Sequence, residues 1–343
     1  MMRQQLFGKT NSGFPVYSFL LSDTDGISVT VCNYGCRILR LSTPDRNGFS
    51  KNIVLGYDQF PLYERDAKYA GAAVGRIANV ISNAQFEMDG AVCRLTKNDS
   101  PHHLHGGIQS FSNIVWDVLE QSDHRIVFSH RFPGGLDGYP GNLDVKVIYS
   151  LPGNGALHIR YEAVSDQKTP VSFTNHSYFN LDADFNREVT DYLVQIEAER
   201  YLELSQQALP TGAMMSVDGS IFDFRKPRTL EHIGDSTLQN TRGYDHTFLL
   251  SGSGMRQAAS AYSPYTGRRI RVYTDLPALQ FYTSNFPEEA LILNDGVPDR
   301  IHNAVCFETQ YATDFVHHTS FPGKYLLPGE RYSSETIYRF DVV

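Results

Sequence analysis

The stretch Phe173-Thr174-Asn175-His176-Ser177-Tyr178-Phe179-Asn180-Leu181 sets one histidine among hydrogen-bonding and aromatic neighbours. Imidazole titrates near neutrality, so a held imidazole gives or takes a proton at cellular pH. A structural histidine satisfied beneath a turn would use the same neighbours. Its company favours chemistry. His105 in Leu104-His105-Gly106-Gly107, Asp245 in Gly243-Tyr244-Asp245-His246, Gln280 in Pro277-Ala278-Leu279-Gln280-Phe281-Tyr282 and Glu308 in Phe307-Glu308-Thr309-Gln310 each set a polar residue between apolar or glycine flanks. Glu308 follows the strand-like run Ala304-Val305-Cys306-Phe307, which would dry its surroundings and make it a tuned base rather than an edge carboxylate in solvent. Such a set moves protons on a neutral polar substrate.

Other chemistries fit less well. His102-His103-Leu104-His105 invites a metal, and strand alternation would put His103 and His105 on one face, but no Cys or carboxylate lies near in sequence. Gly106-Gly107 points instead to close backbone approach to a ligand. The glycine pairs precede strands rather than helices, so they lack the helix-terminus field that holds phosphate. No Gly-x-Ser-x-Gly elbow is present. No metal or cofactor is therefore expected. A net charge of −8 argues against nucleic acid, whose phosphates demand clustered cations.

Strands must position these residues. Val145, Val147 and Tyr149 alternate with Asp144 and Lys146, and Leu157, Ile159, Tyr161 and Ala163 alternate with His158, Arg160 and Glu162. Ile27-Cys32, Ile53-Leu55, Ile114-Leu119, Arg125-His130, Tyr192-Ala198, Arg269-Tyr273, Leu279-Tyr282 and Ala304-Glu308 continue the theme between Gly, Pro, Asn and Asp punctuation. Only Asp58 to Asp66 and Thr229 to Ile233 offer a helical turn or two. The pattern predicts an all-β fold, a large antiparallel sandwich, in a single domain over 1–343 with no linker or repeat. The turn-rich segment Pro133 to Gly141, bearing Tyr139, serves as a hairpin connection or as a cleft rim. Cys32 and Cys36, if on one strand, stand ~13 Å apart, too far for a disulfide unless Gly35 bends the chain. Buried reduced thiols, the lack of an apolar signal-like start and the lack of a bilayer-length segment point to a cytoplasmic protein away from the membrane.

The motifs together resemble the aldose 1-epimerase family, also called galactose mutarotases, over nearly the whole chain. They include Asn33-Tyr34-Gly35, Pro44-Asp45, Leu55-Gly56-Tyr57, Gly75-Arg76 with Ala78-Asn79, Leu104-His105-Gly106-Gly107, Gly138-Tyr139-Pro140-Gly141-Asn142-Leu143, the Thr174 to Leu181 stretch, Pro210-Thr211-Gly212, Phe222-Asp223-Phe224-Arg225, Asp245-His246, Gln280-Phe281-Tyr282, Glu308-Thr309-Gln310 and Pro328-Gly329-Glu330. The resemblance implies a galactose mutarotase-like β-sandwich that interconverts the anomers of a free sugar without a cofactor, as a monomer or homodimer. It implies Glu308 as general base, His176 as general acid, and Asn79, His105, Asp245 and Gln280 as residues that hold sugar hydroxyls. One position departs from the family: the arginine that usually follows the matched asparagine is Val80 here. Glucose and galactose are the default substrates, and Val80 opens maltose or another sugar as an alternative. A glycoside hydrolase using Glu308 and Asp245, and a non-catalytic sugar-binding protein, are the rivals from other classes.

Overall fold

Period-two sequence becomes strand after strand in the computed structural model, which describes residues 3–288 and 290–343. The largest sheet is antiparallel throughout. In spatial order it runs Asp117–Ser122, Arg125–Phe132, Leu143–Ser150, Ala156–Ser165, Arg331–Val342, Arg268–Thr274, Arg256–Tyr262 and Leu193–Ile196. The chain's last strand thus lies mid-sheet, paired with Ala156–Ser165 on one side and Arg268–Thr274 on the other. A five-stranded sheet uses the N-terminal strands in order from Arg3–Lys9 to Ser50–Asn52. A second has the order Pro210–Ser216, Ala198–Leu204, Asp245–Leu250, Ala278–Tyr282, Cys306–Gln310. Apolar residues of all three sheets share one buried cluster, among them Val29 and Leu41, Val147 and Tyr161, and Phe281 and Phe307. This is the all-β sandwich that the alternation predicts.

Several local expectations shift. Ile53-Leu55 contributes an isolated bridge, Val54 to Phe179, rather than a strand. Asp58 to Asp66 yields the four-residue helix Phe60–Tyr63, which Pro61 starts without needing an amide donor. Thr229 to Ile233 forms turns instead of helix. Cys32 ends a strand and Cys36 follows the bend at Gly35, where φ is +65°; both cysteines are free and buried. A Cβ at Gly35 would strike the Ser112 carbonyl, so the bend demands glycine. The segment Pro133 to Gly141 is the hairpin connection between Arg125–Phe132 and Leu143–Ser150, with Tyr139 buried against His103.

Buried tyrosines carry the large sheet's rigidity to the rest of the molecule. A buried phenol needs a partner, and here the partners are distant carbonyls. Tyr149 donates to Cys36 O at 2.6 Å, Tyr161 to Thr174 O at 2.6 Å and Tyr338 to Phe307 O at 2.8 Å. The last two bonds fix the backbone two residues before His176 and one before Glu308.

A buried ion pair anchors the loop that faces them. The side chains of Arg37 and Asp66 are fully enclosed and meet at 2.6 Å. The Asp66 carboxylate also accepts from Tyr57 Oη, Lys68 N and Ala70 N, which ties down residues 66–70. Breaking one partner of such a pair leaves the other charge buried and alone, at a cost of about 3–5 kcal/mol. Asp66→Asn should lose that much stability in urea unfolding, whereas Asp58→Asn, in the exposed Arg40 pair, should lose under about 1 kcal/mol. Equal losses would contradict this ranking.

Candidate active site

Three neighbouring strands present one polar face. In their register Asp245 lies opposite Tyr282, Thr247 opposite Gln280, Gln280 opposite Glu308 and Tyr282 opposite Cys306. Side chains alternate across a sheet, so these residues share one side. Phe248, Phe281 and Phe307 take the other, with Phe281 and Phe307 stacked at 5.4 Å inside the core. Polar residues spaced two apart, with apolar ones between, are how this sequence encodes a polar face on a buried sheet.

His176 packs against that face. Its Nε2 is 3.6 Å from Glu308 Oε1, and its Nδ1 is 3.7 Å from Cys306 Sγ. The ring stacks on Tyr178 at 4.9 Å, and its backbone bonds to Gly71 N and Ala72 O. Burial lowers the His176 pKa to about 4. Burial, reinforced by the charge of Asp245, pushes Glu308 well above the ordinary carboxyl value. Its Oε2 has no hydrogen-bond partner among the described residues. Each group is thus driven toward its neutral form, and the pair holds one proton that either member can carry.

The other predicted residues gather around this pair. The His105 ring lies 5.4 Å from that of His176. Asn79 N donates to His105 Nδ1 at 3.2 Å, and burial keeps His105 neutral, so its proton sits on Nε2. Asn79 and His105 have φ of +67° and +49°, strained values that their mutual backbone and side-chain bonds maintain. Gln280 Nε2 donates to Asp245 Oδ1 at 2.6 Å. Burial raises Asp245 to about 6 despite that bond. Val80 is buried and paired with Leu104. Arg76 does not take over for it: its guanidinium donates to Pro140 O, Gly141 O and Thr169 Oγ1, clamping the 133–141 connection.

Two sequence expectations need correction. His103 and His105 do not alternate along one strand, because that strand ends at Leu104. His103 instead bonds Thr96 O and Tyr139 Oη, and His102 accepts from Asn83 N, so the three imidazoles are spent separately. The close approach at Gly106 and Gly107 is to protein: added Cβ atoms would hit the Gly75 carbonyl and the Asp137 carboxyl. His176, Cys306 and Glu308 do offer ligand atoms within 4.8 Å of one another. Their donors come from two segments, with His176 and Cys306 130 positions apart, so no spacing along the sequence marks the set.

Residues missed in the sequence also line the site. Tyr69, at φ +55°, packs its ring 4.5 Å from His105 and 6.5 Å from His176. Cys306 and Thr247 lie two residues from Glu308 and Asp245, so period two on a recognised strand would have found them. No such signal marks Tyr69, which the loop anchored by Asp66 brings in.

The family model described as Aldose 1-epimerase matches residues 17–339. A galactose mutarotase of Homo sapiens is 38% identical over 339 residues, 98% of each chain. An aldose 1-epimerase of Escherichia coli is 33% identical over 340 residues, 96% of each. Among solved structures, an aldose epimerase homologue from C. elegans superposes with a TM-score of 0.89 at 28% identity, covering 95% of this chain and 99% of the other. A galactose 1-epimerase from Lactobacillus acidophilus superposes with 0.86 at 28% identity, covering 100% and 99%.

The buried carboxyl has a consequence for stability. Glu308 binds its proton more tightly folded than unfolded, so its contribution to the fold is lost as pH rises through the raised pKa. Glu308→Gln keeps the shape without the ionisation. It should melt roughly 1–3 °C above the parent at pH 8, a gap that narrows as pH falls toward the ordinary carboxyl value. A variant that melts lower at pH 8 in thermal scans contradicts the burial argument.

Proposed function

The chain belongs to the aldose 1-epimerase family, and from that premise we propose that it interconverts the α and β anomers of a free aldose by general acid and base catalysis. The carrying observation is the His176 and Glu308 pair, 3.6 Å apart in a dry site. Anomer exchange needs one group at the anomeric hydroxyl and another at the ring oxygen. Both oxygens are bonded to one carbon, so the two groups must sit close together.

Proton balance follows from the pair's single shared proton. With that proton on His176, the Glu308 carboxylate takes the proton of the anomeric hydroxyl while the imidazolium gives its own to the ring oxygen. The bond from the anomeric carbon to the ring oxygen breaks, and the carbonyl forms. What remains is a carboxylic acid beside a neutral imidazole, the state that burial favours. Rotation about the bond between the first two carbons turns the carbonyl over. In reclosure the imidazole removes the hydroxyl proton and the carboxylic acid protonates the carbonyl oxygen, so the groups have exchanged roles.

Asn79, His105, Asp245 and Gln280 are proposed to hold the sugar's hydroxyls, a task for oriented neutral donors and one acceptor. The same reading takes 1–343 as one domain, supported by the mid-sheet place of the final strand. It places the enzyme in hexose metabolism in the cytoplasm, supported by four free cysteines. No helix among the described residues is long and apolar enough to cross a membrane. Polarimetry on freshly dissolved α-glucose, α-galactose and β-maltose tests the proposal. Glu308→Gln and His176→Asn should each lower turnover by about a hundredfold or more. Near-normal exchange by folded Glu308→Gln would remove the assigned base.

Val80 favours a second reading of the substrate. A missing charged donor typically costs about 1.5–3 kcal/mol toward a hydroxyl that still presents itself, and Arg76 is already committed elsewhere. A disaccharide, or a sugar differing at that place, would suffer less. Val80→Arg should therefore raise kcat/KM for galactose about tenfold and lower it for the preferred sugar. Efficient use of galactose by the parent, with impairment by Val80→Arg, would refute the altered preference.

A further inference from the structure

Behind Gln280 runs a buried line of hydroxyls. Thr247 Oγ1 donates to Gln280 Oε1 at 2.6 Å and lies 2.8 Å from Thr313 Oγ1, which accepts from Gln310 Nε2 at 3.2 Å. All four side chains belong to buried residues. A threonine hydroxyl has one proton to give. Thr247 spends its proton on Gln280, so the short contact with Thr313 requires Thr313 to donate to Thr247. The line is therefore directed: Gln310 to Thr313, Thr313 to Thr247, Thr247 to Gln280, and Gln280 to Asp245.

From this geometry we infer that Thr247, backed by Thr313, is a positioning residue for the sugar-holding pair Gln280 and Asp245. The inference rests on the proposed role of that pair. An amide has two ends of similar shape, and only its partners decide which end faces where. The hydroxyl of Thr247 claims the oxygen end, leaving the nitrogen end for Asp245. Turned over, the amide would set its oxygen against the Asp245 carboxylate, acceptor against acceptor. Asp245 is already pushed toward its acid form by burial and pulled back by the Gln280 amide, so losing that donor would shift it further toward the acid and weaken it as an acceptor. Among the described residues the threonines bond Gln280, Gln310 and each other, and neither bonds Glu308 or His176, so their effect belongs to sugar binding rather than proton transfer.

Steady-state anomer exchange on galactose and glucose tests this. Thr247→Val keeps the shape and removes the hydroxyl; it should raise KM about tenfold while kcat stays within twofold. Thr247→Ser, which restores the donor, should return KM to within about threefold of the parent. Thr313→Val should raise KM less than Thr247→Val does, and it decides the matter if Thr247→Val does not fold. Asp245→Asn separates the two layers. If it leaves KM unchanged, the reading of the sugar-holding pair fails; if it raises KM while the threonine variants behave as the parent, only the positioning role fails. A fall in kcat equal to the rise in KM for Thr247→Val, or no rescue by serine, also overturns the inference.

Discussion

Desolvation of Glu308 is the constraint to which the rest of the structure answers. A carboxyl taken out of water must be held by rigid elements or it turns back to solvent, and any cation beside it would ionise it permanently. The first demand is met by the strand Cys306–Gln310, whose backbone Tyr338 grips at Phe307. The second is met by keeping nearby cations occupied. Lys68 sits 5.7 Å above the Tyr178 ring, yet its Nζ bonds Asp299 and the Phe286 carbonyl. Arg37 is likewise absorbed by Asp66. The proton shared by Glu308 and His176 can therefore move between them without a fixed positive charge settling the matter.

That arrangement explains why the polar face is built on sheet rather than loop. Two polar residues on one strand, spaced two apart, lie on one side whatever happens at the strand ends. Register then sets Gln280 between Thr247 and Glu308 without further contacts. His176 and His105 come instead from irregular segments, and these need extra restraint: short ladders at Ala73–Val74 and Val80–Ile81, and the paired bonds between Asn79 and His105.

The same division decides what could be seen in the sequence. Strand residues were legible because burial writes a period of two, and Asp245, Gln280 and Glu308 stand out as polar breaks in apolar runs. Tyr69 was not legible, because its place depends on a buried pair formed by residues 37 and 66. The histidine cluster misled for a related reason. Alternation carried through Leu104 predicts His105 beside His103, but at His105 the backbone turns to positive φ and sends the ring to the site while His103 joins Tyr139. Gly106 and Gly107 signalled a close approach correctly, but residue type alone does not distinguish a ligand from the Gly75 carbonyl.

Three of the four proposed hydroxyl-holding groups share one further property: a contact on one end of the group chooses what its other end offers. Asn79 Oδ1 accepts from Val80 N, which leaves the amide nitrogen as the outward donor. His105 accepts at Nδ1, which leaves Nε2–H. Gln280 is held at its oxygen by Thr247, which leaves its nitrogen for Asp245. A neutral sugar offers hydroxyls that can donate or accept, so discrimination requires the protein's own pattern to be fixed in advance. Here Asn79, His105 and Gln280 are neutral groups, and valine at position 80 adds a side chain that requires no partner. A charged donor at that place would bind a hydroxyl more tightly, but beside Leu104 it would be a buried charge that itself needs a partner.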